Sequence, residues 1–271
     1  MRCELHCHST CSDGTEPAAA VAARAAERDV AIFALTDHDT CAGTSVTLGA
    51  VNGARVLRGV EISCDDEGRT VHVLAYDRGG AWEALEERLG AVREARRNRM
   101  RVMVAKLTQR GIAIDVEPLL AEAERRSIGR PDLARAMVAA GAVSSVKDAF
   151  ARHLYDGGPV DVPHRGLSLR DAIALGRDAG AAMSLAHPHL YDERSAGYLR
   201  RYAGDGLTGL EAYYGAYDHR ERGRWIALAD QLGAVCTGGS DWHGPDTSNV
   251  QPGIDLPDER GDALLAWLEP R

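Results

Sequence analysis

His6 and His8 lie two residues apart in an apolar stretch, and so do Asp241 and His243 near the other end of the chain. In an extended strand residues i and i+2 point to the same side, so each pair presents two potential metal ligands to one point. Further polar side chains stand at or near the ends of other apolar runs: Asp13, His38, Glu61, His72 within its run, and His187. The set is therefore His6, His8, Asp13, His38, Glu61, His72, His187, Asp241 and His243. Six of the chain's ten histidines fall in it, whereas surface histidines would scatter. Imidazole with carboxylate suits manganese, iron or zinc, and nine side chains are too many for one ion. Two to three divalent transition-metal ions are expected.

The elements that must position this set read as short strands alternating with helices. Strands are expected to start near Cys3, Val30, Arg55, Thr70, Ala181, Leu207 and Ala234. An alanine-rich helix opens at Thr15-Glu16-Pro17, with Thr15 as N-cap, and ends near Arg28. This alternation implies a parallel sheet, and polar groups gathered at one end of so many strands imply a closed barrel with its site at their carboxyl ends. The rhythm breaks in the middle, where the sequence is charged and helical. Leu85, Leu89, Val92, Val102, Val104 and Leu107 supply an apolar stripe, and the arginines crowded between positions 93 and 101 read as a solvated helix face. The expected organisation is an α/β barrel from residues 1–81 and 168–271 with a helical insertion at 82–167. Because the insertion follows the fourth strand, it should emerge on the site's face and roof it as a lid.

With 271 residues and 45% hydrophobic content the chain can bury the core of one large domain, with or without an insertion. Its 32 basic and 40 acidic side chains give a formal charge of -8. That offers no general footprint for long nucleic acid, although a local basic channel remains open. No stretch approaches a membrane span and the N-terminus lacks an apolar signal region, so no membrane partner is expected and the expected location is cytoplasmic. Six cysteines without a C-x-x-C pair read as small buried hydrophobes.

Taken in order, the motifs Leu5-His6-Cys7-His8-Ser9 with Ser12-Asp13-Gly14, Thr36-Asp37-His38-Asp39-Thr40, Gly59-Val60-Glu61-Ile62-Ser63, Val71-His72-Val73-Leu74, Ala186-His187-Pro188 and Gly239-Ser240-Asp241-Trp242-His243-Gly244 resemble those of the PHP (polymerase and histidinol phosphatase) family. The resemblance spans nearly the whole chain and implies a metal-dependent phosphoesterase on a distorted seven-stranded (β/α)7 barrel. By position it implies one ion on His6, His8, Glu61 and Asp241, a second on bridging Glu61 with His72 and His187, and a third on Asp13, His38 and His243. Glu61 and Asp241 would then be the catalytic carboxylates, with a metal-bridging hydroxide rather than a side chain as nucleophile.

Ile128-Gly129-Arg130-Pro131 and the stretch from Gly157 to Pro163 resemble the branch that contains nucleoside bisphosphate phosphatases and a 5′ to 3′ exoribonuclease. A small phosphorylated substrate is expected, foremost a nucleotide such as a nucleoside 3′,5′-bisphosphate, contacted by Arg130 as phosphate clamp and by His164, Arg165 and His189. Exonuclease action on short RNA, cyclic phosphate hydrolysis and histidinol phosphate hydrolysis are the enzymatic alternatives. A metal-stabilised structural or binding module is the non-enzymatic one. Three departures from the family pattern bear on substrate choice: Glu4 where Asp is usual, Asp132 where histidine commonly follows Gly-Arg-Pro, and His164-Arg165 where lysine is usual. The charge of Asp132, beside the proposed clamp, is expected to repel a further phosphate on a continuing chain.

Overall fold

The computed structural model describes residues 1–51, 53–123, 125–163, 166–247 and 250–270. Its strands are β1 (Arg2–Glu4), β2 (Ile32–Leu35), β3 (Arg55–Asp66), β4 (Arg69–Tyr76), β5 (Leu167–Ser168), β6 (Ala182–Leu185), β7 (Leu207–Tyr214), β8 (Val235–Gly239) and β9 (Ile254–Asp255). The sheet runs in the order β8-β7-β6-β4-β3-β2-β1-β9, with β5 paired to the far end of β3. Seven of these strands are the expected ones, and β5 and β9 add two-residue edges. The ring closes just beyond β1 and β8: Leu5 N–H donates to Gly238 O at 3.2 Å, and Asp241 N–H to His6 O at 2.7 Å. Closure therefore falls beside the two ligand pairs.

The strands of Ile-Phe-Ala-Leu type are buried on both faces, because helices cover the outside of the ring. These helices are α1 (Ala18–Ala26), α2 (Thr44–Thr47), α3 (Glu83–Thr108), α4 (Glu117–Glu122), α5 (Arg130–Ala139), α6 (Val146–Ala149), α7 (Leu169–Asp178), α8 (Arg194–Tyr202), α9 (His219–Leu232) and α10 (Asp258–Trp267). Thr15 does not cap α1; Pro17 occupies the cap position, and the Thr15 hydroxyl donates to His243 O instead.

The sheet is mixed rather than parallel, since β4 is antiparallel to both β3 and β6. The cause is local. Asp66 pairs with Arg69 across Glu67 and Gly68, both with positive φ (53° and 83°), which is a two-residue hairpin turn. A parallel return would need a crossover of about a dozen residues, and none is available there. The reversal also corrects where the inserted segment leaves the barrel. The carboxyl end of β4, Tyr76, pairs with Gly59 near the start of β3, so the chain exits at the end opposite the ligand residues.

The 26-residue α3, about 39 Å long at 1.5 Å per residue, then carries the chain back. Leu85, Leu89 and Val92 in its first half join the barrel core. Met100, Met103, Val104 and Leu107 in its second half form a separate core with Leu119, Leu133, Met137, Leu154 and Val160. On the way three arginines at three-residue spacing turn inward, contrary to a fully solvated face. Arg93 donates to Asp39 O, buried Arg96 to Asp39 Oδ2, Ser63 Oγ and Ile128 O, and Arg99 to Val162 O.

Candidate metal centre

The nine residues read from the sequence converge on one buried pocket at the barrel mouth. Glu61, 1% exposed, lies at its middle. Its Oε1 is 2.8 Å from His72 Nδ1, 3.0 Å from His187 Nε2 and 3.4 Å from His6 Nε2; its Oε2 is 2.9 Å from His38 Nδ1 and 3.3 Å from His8 Nε2. Asp241 Oδ1 lies 3.3 Å from His6 Nε2 and 3.2 Å from His8 Nε2. Asp13 stands 3.3 Å from His243, 3.7 Å from His38 and 3.9 Å from His8. Among the described residues, three overlapping groups could each hold an ion: His8, Asp13, His38 and His243; His6, His8 and Glu61; His38, Glu61 and His72.

Two physical observations test whether metal fits. Ligand atoms about 2.1 Å from a shared ion lie roughly 3.0–3.5 Å apart, and most of these contacts fall in that range. Moreover, among the described residues His6 Nε2, His8 Nε2, His38 Nδ1 and Glu61 Oε2 are buried with no properly directed hydrogen-bond partner. Buried polar atoms are ordinarily satisfied, so imidazole and carboxylate atoms crowded together without directed hydrogen bonds fit coordination of cations.

Electrostatics agree. Burial opposes charge on His6, yet Glu211, Asp241 and Glu61 outweigh it and raise its pKa well above the usual value. His8 is likewise raised to about 10 by Asp241 and Glu61 against burial. Burial alone would raise Glu61, but His72, His38 and His6 hold it well below the normal carboxylate range. His72 goes the other way, to about 4, because burial dominates.

The chain around the pocket fixes these groups. His187 (φ 26°) and Asp241 (φ 52°) adopt left-handed backbone, at a cost on the order of 1–3 kcal/mol each for non-glycine residues. A Cβ on Gly239 would fall 2.4 Å from His6 N, so only glycine lets β8 approach the first ligand strand this closely. Glu4 accepts from the backbone N–H groups of His6, Ser240 and Gly253, and so ties β1 to β8 despite its longer arm. Burial raises its pKa to about 7 against those donors.

Three further residues support the ligands. Buried Glu211 accepts from His6 Nδ1 (2.8 Å) and from His187 N–H (2.6 Å). Tyr214 donates to Asp241 Oδ2 at 2.9 Å, leaving Oδ1 for the pocket. Asp37 accepts from the hydroxyls of Ser9 and Ser12. The available signal was Glu211 itself, a lone carboxylate inside an apolar strand, since a buried charge must be paired.

His189 lies beside the pocket, its Nδ1 2.8 Å from Tyr217 Oη and its ring 6.2 Å from that of His187. Arg130 bonds Leu154 O and pairs with Asp156. His164 and Arg165 lie outside the described residues. Asp132 is buried and accepts from Gly129 N–H, Arg126 and Arg135. Two guanidinium groups thus neutralise it, and it presents no free charge to a substrate.

Comparison with known proteins gives the same picture. The PHP domain family matches residues 4–112. A 3′,5′-nucleoside bisphosphate phosphatase of Chromobacterium violaceum is 34% identical, covering 89% of this chain and 87% of that protein. A phosphoribosyl 1,2-cyclic phosphate 1,2-diphosphodiesterase of Eggerthella lenta is 33% identical over 89% of this chain and 94% of its own. A solved structure of an amidohydrolase from Chromobacterium violaceum, with bound sulfate and no metal, superposes with a TM-score of 0.87 at 32% identity, covering 97% and 96% of the two chains.

Proposed function

Because the chain belongs to the PHP family of metal-dependent phosphoesterases, we propose that its substrate is a small nucleotide, foremost a nucleoside 3′,5′-bisphosphate. One observation carries the choice. A cavity of about 520 Å³, the size of a small-molecule site, lies between the barrel and the inserted segment and shares a wall with the ligand cluster. That wall is Tyr191, whose hydroxyl accepts from His72 N–H at 2.8 Å. Arg69, Arg99 and Arg194 line the cavity with Tyr191 and Tyr198, which suits an anion joined to an aromatic base. Glu67, Asp156 and Asp161 also line it; Arg130 engages Asp156 and Arg99 engages Asp161. The bound sulfate of the related amidohydrolase is a tetrahedral oxyanion like phosphate.

In this reading His6, His8, Glu61 and Asp241 hold one ion, Glu61 with His72 and His187 a second, and Asp13, His38 and His243 a third. When bound, such ions polarise the phosphoryl group and activate water. The chain does the positioning. Glu211 keeps a proton on His6 Nδ1, which turns the Nε2 lone pair inward. Tyr214 orients Asp241; His189, beside the metal pocket, and Arg130, paired with cavity-lining Asp156, are assigned to the substrate. The part of the inserted segment that reaches the site along α3 acts as the lid, and no described helix is long and apolar enough to cross a membrane.

Two tests follow. A cavity of this size favours a compact ligand, so phosphate release from a nucleoside bisphosphate should exceed mononucleotide release from an RNA of about ten residues by at least about tenfold in kcat/KM, with weak salt dependence. Faster, strongly salt-dependent release from the oligomer would establish exonuclease action instead, and preferred turnover of a cyclic phosphate would establish a diesterase. Arg130→Ala should lower kcat/KM about 10²-fold, on the order of 2.7 kcal/mol, at unchanged metal content. Lost metal in that variant would make Arg130 structural, and unchanged kinetics would leave it to its partner Asp156.

A further inference from the structure

The ligand whose position the cluster itself defines least is Asp13. Its contacts with the pocket imidazoles, 3.3–3.9 Å, are longer than those of Glu61, 2.8–3.4 Å. Something outside the cluster must hold it, and the inserted segment does so through three consecutive residues of the Asp13 loop. Ser127 N–H donates to Cys11 O at 3.0 Å, Arg126 Nη1 to Ser12 O at 2.7 Å, and Arg135 Nη2 to Asp13 O at 3.0 Å.

Both arginines are themselves held by one buried carboxylate. Asp132 Oδ1 accepts from the same Arg126 Nη1 at 2.9 Å and the same Arg135 Nη2 at 2.8 Å, while its Oδ2 accepts from Gly129 N–H at 2.7 Å. The side chain of Asp132 is 2% exposed, so its charge is screened little and both guanidinium groups are fixed in direction. The loop has no slack on its other side. Ser12 Oγ donates to Asp37 Oδ1 at 2.6 Å, and a Cβ on Gly14 would fall 2.6 Å from His8 O. A cavity of about 500 Å³ adjoins this joint, lined by Cys11, Gly14 and Thr15 of the loop and by Arg126, Asp132 and Arg135 of the inserted segment.

We propose that Asp132, Arg126 and Arg135 are positioning residues that aim the Asp13 carboxylate, and thereby set the affinity of one ion of the cluster independently of the others. This rests on the three-ion reading above. Residues that orient metal ligands typically change affinity by about 10- to 100-fold when replaced. The side chain of Arg135 is one-third exposed, which makes it the substitution least able to disturb the fold.

The test is calorimetric titration of Mn²⁺ into chelator-treated full-length protein, comparing the parent with Arg135→Ala, Arg126→Ala and Asp132→Asn. The parent should take up three ions. Each variant should retain two at parental affinity and bind the third about 10- to 100-fold more weakly, as Asp13→Ala would remove it outright. Arg135→Lys, which keeps a donor, should recover most of the loss. Melting of the metal-free Arg135→Ala protein should match that of the parent, placing the defect in the metal-bound form. Parental affinity for all three ions in the variants would overturn the proposal and leave the three-ion reading intact. A parent that binds two ions or fewer would overturn the reading itself, and this assignment with it. If Asp132→Asn fails to fold, Arg135→Ala decides alone: a single weakened ion supports the proposal, and uniform weakening of all ions overturns it.

Discussion

Glu61→Gln is expected to lower kcat/KM by at least about 10³-fold, roughly 4 kcal/mol of barrier, and to reduce the bound metal. Both carboxylate oxygens lie within 3.4 Å of imidazole nitrogens from five of the six pocket histidines. A carboxylate there offers negative charge to ions on two sides, whereas an amide offers one neutral oxygen and turns N–H groups toward the other cation. Glutamine has nearly the same shape, so the far-ultraviolet circular dichroism should not change. Kinetics on phosphate release and elemental analysis of the purified variant decide the matter. Activity within about tenfold of the parent, or undiminished metal content, would mean that Glu61 does not bridge.

The cluster was legible in the sequence because its geometry is local. Period-two spacing aims His6 with His8 and Asp241 with His243 whatever the rest of the chain does, and apolar runs that end in polar residues mark one face of a barrel. The direction of β4 was legible too, in the two residues Glu67 and Gly68 between long apolar runs, but the general alternation of strands and helices masked it. An insertion after a parallel fourth strand would start at the site, whereas this one starts at the opposite end and reaches the site only along α3.

The arginines were harder. Arg93, Arg96 and Arg99 repeat at the spacing of one helical face, and a sequence cannot tell an outward polar face from one that meets buried carboxylates and carbonyls. Asp132 shows the same limit. Its place after Gly-Arg-Pro marks a helix start, but the arginines that neutralise it are recognisable as partners only once α5 is packed against the Asp13 loop.

Chelation of the purified protein is expected to abolish phosphate release, by at least about 10³-fold, with recovery on adding Mn²⁺, Fe²⁺ or Zn²⁺, and to take up protons as the metal leaves. The protons have identifiable sites. In the metal-free fold carboxylates raise His8 to about 10 against burial, so it is protonated near pH 7.5, and they push His6 upward as well, whereas His72, lowered by burial to about 4, is neutral. Metal requires neutral imidazole, so binding must expel the proton of His8 but none from His72. Apparent affinity should therefore rise with pH, by up to about tenfold per unit for each proton displaced. The sign for the metal-free fold is opposite. His8, whose pKa lies above its unfolded value of 6.5, contributes stability that is complete below pH 6.5 and lost as pH rises through about 10. Metal-free protein should thus weaken over that window while metal-loaded protein strengthens. An ion present at about 100 times its Kd adds roughly 2.7 kcal/mol, or about 5–10 °C in Tm for a chain of this length. Titration in buffers of different ionisation enthalpy counts the protons. Release of none at pH 7.5 would mean that His8 is already neutral in the metal-free fold, and turnover that survives complete removal of metal would defeat the assignment of a catalytic metal centre.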